Sequence, residues 1–79
     1  MLRDSIKKVM GEIFGLAPGE IPDAAAMEEL EAWDSLNHME LMLAIEIEFG
    51  VRISTTMMLE LVSLDAICDF VKSQKVDAG

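Results

Sequence analysis

The sequence predicts an all-α fold, a small bundle of amphipathic helices, and three observations lead there. Over half of the 79 residues are apolar, yet only three Phe and one Trp are aromatic, so the core is built from Leu, Ile, Val and Met, side chains that suit helix packing. Apolar residues recur at spacings of three and four through the first fourteen positions. A central stretch, 35–49, holds neither Gly nor Pro. A chain of this length makes one domain, 1–79, near the lower limit for a self-sufficient core, with little room for a deep enzymatic cleft.

The first helix is expected over about 3–14, where Leu2, Ile6, Val9, Met10, Ile13 and Phe14 form one apolar stripe and Gly15 closes it. From 16 to 31 the chain carries Pro18, Gly19 and Pro22 and then small and acidic residues, so a long surface loop is expected, pinned by Leu16, Ile21, Met27 and Leu30. Loops of this length in a compact domain are usually functional. Asp34 is a good N-cap for a second helix over 35–49, and Gly50 supplies its stop. Residues 51–54 read as an extended link and 55–61 as a short third helix. Ser63 then caps a last helix over about 64–74, with Leu64, Ile67, Cys68 and Val71 as its stripe and Lys72 and Lys75 against its C-terminal dipole. The tail beyond it is expected to fray.

The second helix has two apolar faces. At about 100° per residue, Leu41, Ile45 and Phe49, with Met42 beside them, fall on one side, and Leu36, Met39, Leu43 and Ile47 fall on another. A short helix in a small bundle buries one stripe, so the second is expected to stay largely exposed, flanked by Glu40 and Glu46, with Glu48 beyond. An apolar ridge bordered by carboxylates has the character of a docking surface. The competing reading makes both stripes core, in a homodimer or around a central helix.

Charge points the same way. The formal net charge is −9, and no Lys or Arg stands between Lys8 and Arg52, a stretch that holds ten carboxylates. Such a region repels nucleic acid and anionic membranes and steers partners with basic patches toward it. The plainer alternative is that acidity only keeps a small domain in solution. A single cysteine, Cys68, rules out an internal disulfide and a thiolate metal cluster and fits a reducing compartment. With no cleavable leader and no apolar run long enough to span a bilayer, the chain is expected to be cytoplasmic, without membrane insertion.

Ser35 sits where Asp34 gives way to the helix, at the positive end of the dipole and beside amides with no internal acceptor, so a phosphate ester there is favoured. On this tripeptide alone, ordinary capping by Asp34 and Ser35 explains as much. Asp34, Ser35 and His38 are the residue types of a hydrolase triad, but all three lie within one turn, with no separate element to orient the imidazole and no Gly-rich oxyanion loop, so no catalytic residue is assigned. One His without a Cys pair makes no zinc site. The acidic loop also lacks the Asp, Asn and Gly alternation of a calcium loop, so no metal site is expected.

Asp34-Ser35-Leu36, Met39-Glu40-Leu41, Ala44-Ile45-Glu46 and Glu48-Phe49-Gly50-Val51 followed by Ile53 resemble the acyl carrier proteins and their relatives, the peptidyl carrier domains. The likeness extends more weakly along the whole chain. It implies a four-helix bundle with a long first loop and a short third helix, and no enzymatic activity. Ser35 then takes 4′-phosphopantetheine from coenzyme A through a phosphopantetheinyl transferase, with Asp34 beside it, and the arm holds acyl groups as thioesters. Leu36, Met39, Glu40, Leu43, Glu46, Ile47 and Glu48 form the side that meets acyl-loading and acyl-using enzymes with basic patches.

Trp33 and Asn37 flank the motif where the commonest fatty-acid carriers have a small residue and an acid, and Ile47 stands where many have Glu. These departures suggest a stand-alone carrier for a fatty-acid, polyketide or other specialised pathway rather than the general fatty-acid machinery, and the chain is expected to be a monomer. The alternatives are an aminoacyl or peptidyl carrier of nonribosomal type, and an unmodified acidic interaction subunit.

Overall fold

A computed structural model describes residues 2–78, with side chains through Gln74. Four α-helices follow in order: α1 (Leu2–Phe14), α2 (Ser35–Phe49), α3 (Thr55–Glu60) and α4 (Leu64–Ala78). The expected all-α architecture is present, and α1 packs on both α2 and α4. The long first loop also forms one turn of 3₁₀ helix, Pro18–Glu20, in which Pro18 takes the first position and the Glu20 carboxylate accepts from the Ala17 amide at 2.7 Å. The loop then pairs with the α3–α4 link: Met27 N–H donates to Val62 O and Leu64 N–H to Ala25 O, each at 2.9 Å, around an isolated antiparallel bridge between Ala26 and Ser63.

One core joins all the elements. Ile6, Val9 and Met10 from α1, Ile21 and Trp33 from the loop, Leu41, Met42 and Ile45 from α2, and Leu64, Ile67 and Val71 from α4 are buried together with Leu61. Cys68 belongs to this core, and burial pushes its thiol up, which keeps it unreactive. Helix α4 runs to Ala78, beyond the expected end near Gln74. Val76, Asp77 and Ala78 contain no helix breaker, and the chain meets none before Gly79. The Lys75 side chain and Gly79 lie outside the described residues.

Gly11 is a helix-interior residue with a packing duty. A Cβ there would meet the backbone oxygen of Leu16 at 2.5 Å, because Gly15 takes a left-handed conformation (φ 74°) and folds the chain back over the end of α1. Gly15 N–H and Leu16 N–H both donate to Gly11 O, at 2.9 and 3.0 Å. Gly11→Ala is therefore expected to destabilise the fold by about 1–3 kcal/mol despite the better helix propensity of Ala. Urea denaturation of the two proteins measures this.

Ion pairs fasten the loop and α4 to α1. Arg3 pairs with Asp65 at 2.7 Å and also donates to Asp23 O at 3.1 Å, and Lys7 pairs with Asp23. The hydrogen bond from Lys7, aided by its charge and that of Arg3, holds the Asp23 carboxyl below the usual carboxylate range. A carboxylate with a lowered folded pKa contributes its stability above the unfolded pKa and loses it as pH falls through the folded one. The urea midpoint is thus expected to drop as pH falls below about 4. Asp23→Asn, which removes the titrating group, should flatten that dependence.

Candidate functional site

Helix α2 starts as a well-capped element. Asp34 is the N-cap, in extended conformation, and its carboxylate accepts from Asn37 N–H at 2.9 Å while its carbonyl accepts from His38 N–H at 2.8 Å. Asn37 Nδ2 donates back to Ala32 O at 2.8 Å, fixing the approach to the helix. Ser35 therefore holds the first helical position, exposed, and its own amide and that of Leu36 have no acceptor among the described residues. Its hydroxyl also makes no hydrogen bond among the described residues. Ser54 Oγ and Ser63 Oγ are committed to caps, accepting from Met57 and Ala66 N–H at 3.1 Å, and Ser5 has a partner of its own.

Beside Ser35 lies an open cleft of about 710 Å³ lined by Ala26, Met27, Glu28, Trp33, Asp34, Val62 and Ser63. Its walls are the first loop and the α3–α4 link, held together by the bridge described above. Trp33 is almost wholly buried and stacks obliquely on Phe14, with ring centroids 5.7 Å apart. Its Nε1–H donates to His38 Nδ1 at 2.9 Å, and His38 Nε2 lies 2.7 Å from Met58 O. His38, in the first turn of α2, is a buried hub between the approach segment, α2 and α3. In the sequence it looks like any polar first-turn residue, because its partners stand five and twenty positions away.

The far face of α2 carries the ridge. Leu36, Met39, Leu43 and Ile47 are all exposed, from 56% at Met39 to 82% at Ile47, while Leu41, Met42 and Ile45 on the opposite face are buried. Leu59 on α3 and Val62 add further exposed apolar surface. Glu40 and Glu48 are exposed as expected of flanking acids. Glu46 is half-buried, and its carboxylate accepts from Ile53 N–H at 2.8 Å, so it also ties the α2–α3 link to the helix. Asp34, Ser35, the ridge and its acids thus belong to one helix, with the attachment candidate at its start. Among the described residues no group of three or more His, Cys, Asp or Glu could hold a metal, and no helix is long and apolar enough to cross a membrane.

Residues 4–71 match the family described as the phosphopantetheine attachment site. The chain belongs to this carrier family. It is 31% identical over 72 residues to an acyl carrier protein of Thermosynechococcus vestitus, covering 90% of this chain and 88% of that relative. Acyl carrier proteins from two strains of Nitratidesulfovibrio vulgaris are also 31% identical, over 75 residues, covering 94% of this chain and 97% of theirs. The family's prosthetic group is covalently bound 4′-phosphopantetheine, and its members act as carriers that meet phosphopantetheinyl transferases and acyl-handling enzymes.

The residues at the start of α2 fit that group. Two amides without acceptors and the positive end of the helix dipole suit a phosphodiester. The cleft beside them offers apolar side chains, Met27, Trp33 and Val62, to the less polar remainder of the arm. When bound, the arm supplies a thiol for thioester formation. At this helix start the chain presents an exposed hydroxyl, the two amides and the apolar wall.

Proposed function

We propose that Ser35 is the attachment residue and that 1–79 is a single carrier domain, working as a monomer in the cytoplasm and doing no chemistry itself. The observation that carries this reading is the placing of the serines: Ser35 is exposed and uncommitted at a capped helix start, whereas the Ser54 and Ser63 hydroxyls are spent on helix caps and Ser73, also exposed, lies within α4 far from its first turn. Asp34 holds the helix start in place. Leu36, Met39, Glu40, Leu43, Ile47 and Glu48 form the face that docks each enzyme, with Glu46 at its edge, bracing the link to α3. Small, steered interfaces of this kind release quickly, which a carrier that visits several enzymes requires.

The load is an acyl group held as a thioester, a reading supported by relatives that are themselves named acyl carrier proteins. Ile47, 82% exposed, makes the docking face more apolar than a run of acids would. Together with Trp33 and Asn37 beside the serine, it favours a dedicated partner in a specialised pathway. Proteolytic mapping of the protein after loading by a phosphopantetheinyl transferase is expected to find the group on the peptide containing Ser35. Finding it on a peptide carrying Ser73, Thr55 or Thr56 instead would move the site.

A further inference from the structure

Among the described residues His38 is the one buried side chain that is polar or charged, and the carrier role leaves it unused. Its geometry fixes its protonation. Trp Nε1–H is a donor only, so His38 Nδ1, 2.9 Å away, must accept and carry no hydrogen. Nε2 then bears the hydrogen and donates to Met58 O at 2.7 Å. The neutral Nε2–H tautomer satisfies both contacts, in keeping with the absence of any unsatisfied buried side-chain polar atom among the described residues.

Three segments meet at this ring. Trp33 precedes the helix and lines the cleft beside Ser35, His38 is in the first turn of α2, and Met58 is on α3. We propose that His38 is a positioning residue that holds Trp33 as the fixed wall beside Ser35 only while it is neutral, and that its protonation releases this wall. An imidazolium is a donor at both nitrogens, so a proton on Nδ1 points at the Trp33 N–H and the hydrogen bond is replaced by two opposed donors. The contact with Met58 O survives, so the release is confined to the side that faces the attachment residue.

Apart from half-buried Glu46, which is bonded to Ile53 N–H, the ionisable groups on the segments that meet at the ring are Glu28, Glu29, Glu31 and Asp34 ahead of α2, Glu40 and Glu48 on α2 itself and Glu60 on α3. All are exposed, and none hydrogen-bonds the imidazole, whose two nitrogens are already taken. The proposal rests on Ser35 as the attachment residue for its functional consequence, but the switch itself is a property of the unloaded chain.

The single tryptophan makes the test direct. In ¹⁵N-labelled protein titrated from pH 8 to pH 5, His38 should show the Nε2–H tautomer at pH 8, and the one indole N–H signal should move with the same midpoint as the His38 ring. His38→Gln offers one acceptor and one donor without a titration, and its indole signal should stay fixed over that range. The ratio of transferase loading rates, His38→Gln over native, should change by up to about tenfold between pH 8 and pH 5.5, the worth of one hydrogen bond. An Nδ1–H tautomer at pH 8, an indole signal that ignores the His38 titration, or the same pH response in His38→Gln overturns the proposal. The indole and tautomer readings on native protein stand even if the variant fails to fold. Failure of both proteins to load at every pH would instead count against Ser35, whatever the indole does.

Discussion

Trp33→Ala is expected to cost about 3–5 kcal/mol for the lost packing alone, with about 1–3 kcal/mol more from the buried His38 Nδ1 left without its donor. Trp33 is the largest fully buried side chain, and it touches the core through Phe14 while closing the bottom of the first loop. Domains of ordinary stability have about 5–15 kcal/mol in total, and a small one sits at the low end, so the variant should be largely unfolded at 25 °C. Circular dichroism with urea titration reads this directly. Trp33→Phe separates the two contributions, because it keeps most of the ring contact and loses only the hydrogen bond. It should fold, with roughly the smaller of the two losses.

The second large effect falls on recognition and leaves the fold alone. Leu43→Gln together with Ile47→Gln removes two side chains that are more than half exposed, so stability should change by no more than about 0.5 kcal/mol per site. If the ridge is where enzymes dock, these two apolar anchors make up half of it, and their loss should lower kcat/KM for transferase loading roughly ten- to hundredfold. Glu40→Gln and Glu48→Gln at the rim should act more gently, mainly on association rate and its salt dependence. A double variant that melts like the native chain and loads at the native rate would remove the ridge from the account.

Helix α2 was legible because its signals are local. Asp34 caps it, Gly50 ends it in the left-handed conformation at φ 66°, and nothing between them breaks it. The limits expected from the sequence, 35–49, are those found. Its division into a buried and an exposed face followed from spacing alone, since a short helix in a four-helix bundle has neighbours on only one side. Helix α3 was found one residue shorter than expected, Thr55–Glu60, because Leu61 leaves helical geometry at the cap (ψ 61°).

What escaped the sequence depends on contacts between distant residues. Gly11 looks like a weak point in an amphipathic helix until the chain is folded back and Leu16 O occupies the space a Cβ would need. The pairing of Ala26 with Ser63 joins residues far apart in the chain and leaves no periodic trace in two short irregular segments. Nothing local marks His38, in the first turn of α2, as buried. Only the arrival of Trp33 on one nitrogen and the Met58 carbonyl on the other makes its burial tolerable. Glu46 shows the same limit: its position flanking the ridge was visible, but its bond to Ile53 N–H depends on how the link after Gly50 turns.

The central claim, that Ser35 bears the arm, is tested most directly by the intact mass of the purified chain after incubation with coenzyme A, magnesium and a broad-specificity phosphopantetheinyl transferase, run beside Ser35→Ala. A gain of one phosphopantetheinyl group on the native chain and none on the variant is the predicted result. The same gain on both proteins would place the arm on another hydroxyl and contradict the assignment.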